Sequence, residues 1–148
     1  MPRETFLDKA IGNYKVATII KEQMGSNKIY LDHVAFYLQQ SVEMCLKYQL
    51  ENNGIEHQRI HDIDQLIQAG RQGGVDIIMV DYIMEHSKMI SSWETRAGNL
   101  SDDYLEAKDI EVAMAGVSDF LDRVVENKRL REARSSPTHK DEIEENER

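Results

Sequence analysis

The sequence predicts an all-α protein, an up-down bundle of four long helices plus one short helix. Three observations carry that expectation. The stretch 30–54, YLDHVAFYLQQSVEMCLKYQLENNG, runs without proline or internal glycine and places Val34, Leu38, Val42, Cys45 and Leu46 on one helical face. From Tyr104 onward, Ala107, Ile110, Met114, Val117, Leu121 and Val124 recur at spacings of three, four, three, four and three, the seam of a fifth helix expected to pack antiparallel on the fourth. The one strand-like run, 75–80, has no second strand candidate, and an isolated strand would leave its backbone groups unpaired.

Taken in order, the first helix is predicted over 5–24, where Leu7, Ala10, Ile11, Tyr14, Ala17, Ile20 and Met24 recur every three or four positions. Thr5, Glu4 and Asp8 suit its positively polarised start. Gly25, Ser26 and Asn27 break it. The central helix follows, with Asp32 predicted as its N-cap and Asn53-Gly54 as its stop. Phe36, Tyr37, Met44 and Tyr48 widen its apolar surface, so this helix belongs at the centre of the bundle. Residues 55–60 are polar and read as a loop. Asp62-Ile63-Asp64-Gln65 is a capping pattern opening a short helix to about Ala69, and the glycines of 70–74 read as a flexible connection. That glycine stretch lacks both the GxGxxG and GxxxxGK spacings and follows no strand, so it is no phosphate loop. The apolar density from Val75 predicts a long fourth helix reaching Trp93 or Glu94, and the fifth starts at Tyr104. Beyond Asn127 the seam is lost, and Ser135-Ser136-Pro137 ends any helix. The chain therefore divides into a bundle, 1–127, and a tail, 128–148, basic and then acidic and expected to be disordered.

At 148 residues the chain is long enough for one domain with a hydrophobic core. A net charge of -9 excludes general attraction to nucleic-acid backbones and leaves only local contacts with nucleotide or RNA. A single cysteine, Cys45, within the apolar stripe offers no intramolecular disulfide. No signal peptide and no membrane-length apolar run is visible, so no membrane association is expected and the cytoplasm is the expected setting.

Several polar residues are candidates for function. Gln40, Glu43 and Lys47 form a line beside the apolar stripe, and Glu43 with Lys47 has the favourable i,i+4 orientation. Two readings fit: a plain ion pair, or the polar wall of a cleft beside Arg96. Arg96, Asp102 and Asp103 lie in the polar junction between the last two long helices, where they form either a site or a salt-bridged loop capping the fifth helix. Trp93 and Tyr104 flank that junction, as core anchors or as stacking surfaces for a base. His57 and His61 stand four apart on a loop with Cys45 buried elsewhere, so no metal site is expected, and His61 is predicted to bond backbone near the start of the short helix. His33 and His86 carry no pattern. No cofactor is expected.

YLQQSVEMCLKYQLENNGIE at 37–56, His61-Asp62 opening the short helix, and WETRAGNLSDDYLEA at 93–107 together resemble the HEPN (higher eukaryotes and prokaryotes nucleotide-binding) domain family. The resemblance spans residues 5–126. It implies a bundle of four or five helices, commonly a symmetric dimer, acting as a metal-independent ribonuclease, as a toxin paired with a minimal nucleotidyltransferase, or as a nucleotide-binding accessory domain. The ribonuclease motif of the family is an Arg followed one or two turns later by a His. Arg96 matches the Arg, whereas Ser101, Asp102 and Asp103 stand where the His belongs. RNA cleavage of this kind needs a base for the ribose 2'-hydroxyl and a cation for the charge on phosphorus. Arg96 supplies the second role, and Asp102 or Asp103 would supply the first only with a raised pKa. The resemblance thus implies a nucleotide- or RNA-binding bundle contacting its ligand through Gln40, Glu43, Lys47, Arg96 and Tyr104, homodimeric and partnered by a nucleotidyltransferase-type protein. Its alternatives are an active ribonuclease toxin using Arg96 with Asp102 or Asp103, and a non-catalytic homodimeric module.

Overall fold

The computed structural model describes residues 4–24, 27–95 and 105–135. Five α-helices follow one another: α1, Phe6–Met24; α2, Lys28–Asn52; α3, Ile63–Gln72; α4, Asp81–Ser92; and α5, Ala107–Ser135, with a single 3-10 turn, Trp93–Thr95, continuing α4. No strand is present among the described residues. The expected all-α bundle is the observed one.

α1 opens on a reciprocal capping box. The Thr5 hydroxyl accepts from the Asp8 N–H, while Asp8 accepts from the N–H of Thr5, which holds the Asp8 carboxyl below its usual range. α2 begins four residues earlier than Asp32. Asn27 caps it, its side chain accepting from the Ile29 N–H, so Asp32 lies within the helix. Its end follows the sequence expectation. Gly54 adopts a positive φ of 70°, the Ile55 N–H reaches the Leu50 carbonyl, and the Gly54 N–H reaches that of Glu51. These two bonds satisfy carbonyls that the last turn would otherwise leave bare. α3 starts at its predicted cap, Asp62, which accepts from the Gln65 N–H. It runs past Ala69, taking Gly70 into the helix beneath Ile77, and ends in a second such motif around Gly74.

The fourth helix departs most from expectation. Residues 75–80 are not helical, and α4 starts only at Asp81, with no side-chain cap on Val80. The physical reason is a partner that no periodicity discloses. Gln49 of α2 presents its amide to Ile78, Oε1 accepting from the Ile78 N–H at 2.7 Å and Nε2 donating to the Ile78 carbonyl at 3.2 Å. One side chain thereby does for this segment what a neighbouring strand would do. α4 also breaks its own turn at His86, whose ring stacks on Tyr82 and whose Nδ1 meets the Tyr82 carbonyl at 2.9 Å. Tyr82 in turn packs closely against Gly116 of α5, where a Cβ would meet its side chain and force it to shift.

α2 packs against every other described element. Leu31, Val34, Ala35, Leu38, Val42, Cys45, Leu46 and Leu50 are all buried along it and meet Leu7, Ala10 and Ala17 of α1, Ile63 and Leu66 of α3, Ile83 and Ile90 of α4, and Ile110, Val117 and Phe120 of α5. Of the seam predicted on the last helix, Ile110, Val117, Leu121 and Val124 are buried and Ala107 and Met114 half-buried, while Ala113 and Phe120 join the core unpredicted. α5 packs more extensively on α2 than on α4, the neighbour expected from sequence. α5 continues as a helix through Ser135, so residues 128–135, set apart by the sequence as the start of a tail, extend the bundle's last helix. There Arg131 donates to the Tyr48 hydroxyl at 3.4 Å. Among the described residues, no helix is long and apolar enough to cross a membrane.

Candidate functional site

Gln39, Glu43 and Lys47 recur every fourth residue of α2 and form one line along it. All three are buried, Glu43 at 2% and Lys47 at 5% exposure. The Gln39 amide donates to Glu43 Oε1 at 3.2 Å, and Lys47 Nζ lies 3.1 Å from Glu43 Oε2, so each carboxylate oxygen has a donor. Gln40, half-buried, donates through Nε2 to the Gln39 side-chain oxygen Oε1 at 2.7 Å and extends the chain of polar groups toward the surface. The i,i+4 ion pair expected from the spacing is present, and it is buried rather than exposed. Removing both charges from water costs several kcal/mol per ion, and their attraction offsets that cost only in good geometry. A buried pair of this kind is poor evidence for stability, which leaves function as the reason to look further.

At its other end the line meets His61. Nδ1 of His61 stands 3.5 Å from Glu43 Oε2 and 3.4 Å from Lys47 Nζ, long contacts weaker than the Lys47–Glu43 pair. The expected backbone bond is therefore replaced by contact with α2. His61 is well exposed, 59% in its side chain, so it forms the outer rim of a network whose base is inside the bundle. It is fixed in place from both sides. After it, the first turn of α3 is pinned to α4, the Ile63 N–H donating to the Ser91 hydroxyl at 3.0 Å and Ser87 donating to the Asp64 carboxylate. Before it, His57 anchors the loop, buried edge-on against Phe6 with its Nδ1 unpartnered among the described residues. Burial is the main cause that pushes the His57 imidazole below its usual pKa, with Glu51 opposing.

The third side of the site is the 3-10 turn. Trp93 is buried at 1% exposure and acts as a core anchor, not as a stacking platform. The turn it anchors brings Glu94 beside the network: Glu43, His61 and Glu94 each place one ligating atom within 4.8 Å of the others. Two carboxylates and an imidazole are a plausible donor set for a divalent cation. Lys47 argues against it, because its ammonium already sits between Glu43 and His61 as the cation of the cluster. A metal would have to displace a buried charge or share its space.

Of the residues singled out by sequence, Gln40, Glu43 and Lys47 come together in this network. Arg96, Asp102, Asp103 and Tyr104 lie outside the described residues. The sequence singles out His61, but for a backbone bond, and its place beside Glu43 and Lys47 comes only from the tertiary fold. Gln39 and Glu94 are not singled out; Gln39 is legible as the residue four before Glu43, whereas Glu94 reaches the site through the fold alone. A cleft of about 590 Å³ between the start of α1 and the end of α2, walled by Phe6, Lys9, Tyr48 and Glu51, shares no residue with the network.

No curated protein and no solved structure matches the chain. The family model of the HEPN domain matches residues 4–133, nearly the whole chain and all of the elements that build the network. The chain therefore belongs to the HEPN domain family.

Proposed function

We propose that the chain is a nucleotide- or RNA-interacting HEPN bundle that works with a minimal nucleotidyltransferase-type protein in a toxin-antitoxin-type system, its Arg-His ribonuclease motif incomplete. The observation that supports this reading is the buried Gln39, Glu43 and Lys47 line surfacing at His61, a costly arrangement with no evident structural purpose. Glu94, two residues before Arg96 in sequence, borders it. Gln40, Glu43, Lys47, Arg96 and Tyr104 are the proposed contacts, with the charge on a phosphate assigned to Arg96. Cytoplasmic location and a homodimer complete the proposal. For the dimer, support comes from Val16 and Ile19 on α1, Met84 and Met89 on α4, and Val112 on α5, all exposed and apolar. On α2 most apolar residues are consumed by the bundle itself, and Ile29 is its large apolar residue left exposed.

The test is affinity purification of the tagged chain together with nucleotide titration. Recovery of a nucleotidyltransferase-like protein, and nucleotide binding that Arg96→Ala abolishes, are the expected results. Absence of both a partner and any nucleotide affinity at millimolar concentration would sink the proposal.

A further inference from the structure

We infer that the face between residues 75–82 and α5 docks a basic, extended segment of a partner protein. This face shares no residue with the Glu43 network, so the inference stands or falls independently of the nucleotide reading.

Three adjoining hollows make one groove along α5. The first, about 290 Å³, lies where Tyr48 and Asn52 of α2 meet Asp76 and Arg131. The second, about 420 Å³, shares Ile78 and Asn127 with it; the third, about 220 Å³, shares Arg123 with the second and reaches Gly116. Between Gly116 and Arg131 the helix rises roughly 22 Å, room for about six or seven residues of extended chain.

The charge of the groove selects its occupant. Asp76, Asp81, Asp119, Asp122 and Glu126 line it, against Arg123 and Arg131. Arg123 is held by Asp119, Arg129 covers Glu126, and Arg131 donates to the Tyr48 hydroxyl. Asp76, Asp81 and Asp122 are exposed, and among the described residues no cation pairs with them. The backbone selects the occupant's shape. Ile78 turns both its N–H and its carbonyl to Gln49, as a strand does to a neighbour, and Val80 is extended at φ -125° and ψ 152°. Successive residues of an extended chain turn these groups to opposite sides, and among the described residues those of Ile77 and Met79 have no partner. An unpaired edge of this kind accepts an added strand, whose lysines or arginines would meet the three carboxylates. The chain does not supply that strand itself. Residues 136–148 carry five carboxylates against Lys140 and Arg148, and the basic residues of 128–134 are helical, here and in any second copy.

The experiment follows the anisotropy of a labelled peptide of alternating lysine and threonine as the full chain is added. A glutamate–threonine peptide reverses the charge, and a lysine–proline peptide keeps the charge but removes every second N–H. Saturable binding of the lysine–threonine peptide is expected, with none of the glutamate peptide and at least about tenfold weaker binding of the proline peptide. Asp76→Asn with Asp122→Asn should weaken binding by about three- to tenfold, the scale of two exposed ion pairs. Glu22→Gln with Glu56→Gln removes the same charge from exposed positions outside the groove and should change it by less than about twofold. Circular dichroism of both double variants verifies the helical fold. In the complex, hydrogen exchange should slow at the Ile77 and Met79 amides. No saturable binding of the lysine–threonine peptide at millimolar concentration, equal affinity for the proline peptide, or equal losses in the two double variants would overturn the inference.

Discussion

Lys47 shows most directly what one residue contributes here. Its ammonium is the counter-charge of a carboxylate that water does not reach. Lys47→Met should therefore destabilise the fold by about 3–5 kcal/mol, because Glu43 is left charged and buried or must bind a proton. Adding Glu43→Leu to that variant should restore part of the loss, since two apolar groups of similar volume replace the pair; urea denaturation of the single and double variants measures this. A double variant no more stable than Lys47→Met would show that the pair is not isolated from solvent. His57 carries a separate, acid-side effect. Its folded pKa lies below the ordinary 6.5, so at falling pH the unfolded chain takes up a proton that the folded one resists. Its contribution to stability is complete above about pH 6.5 and is lost as pH falls toward the folded value. His57→Phe keeps a ring against Phe6 and should narrow the gap in urea midpoint between about pH 7.5 and about pH 5. An unchanged gap would assign the acid sensitivity to other groups.

At the scale of elements, the segment before α4 is where the sequence was least legible. Ile77, Ile78, Met79 and Val80 form an apolar run of the kind shared by buried strands and buried helices, and with no second strand to pair, elimination favoured helix. The missing partner was a side chain, and Gln49 sits on the helix whose pattern gives no hint that it reaches another segment. Gln49→Leu should orphan both backbone groups of Ile78 at about 1–3 kcal/mol each. Hydrogen exchange would locate the damage: the Ile78 amide should lose protection while amides in the middle of α2 keep theirs. Uniform loss across the bundle would mean that the clamp supports the whole fold and not this segment alone. Helix ends were easier to read, because Asp62 and Gly54 act through their own neighbours in the chain. Asp32 was misread because Asn27, equally suited to capping, precedes it and wins the earlier start.

The whole molecule is arranged about α2, and that much was written in its unbroken apolar pattern. What the pattern concealed was depth. An i,i+4 Glu-Lys pair looks the same in sequence whether it faces water or lies beneath α3 and the 3-10 turn, and only the packing of those elements made it a buried network. The site was legible in its α2 half and hidden in the half that other segments supply. Cys45, at 0% exposure on the same helix, has a practical consequence. Burial pushes its thiol far up, away from the reactive thiolate, and the chain has no other cysteine to obscure its signal. It is a native stopwatch for the opening of the bundle. In excess alkylating reagent, the labelling rate should equal the rate at which the helices part, and it should rise with urea in step with unfolding followed by fluorescence. Rapid stoichiometric labelling without denaturant would refute the enclosure of α2. Slow labelling would time, without any engineered probe, how long the bundle stays shut.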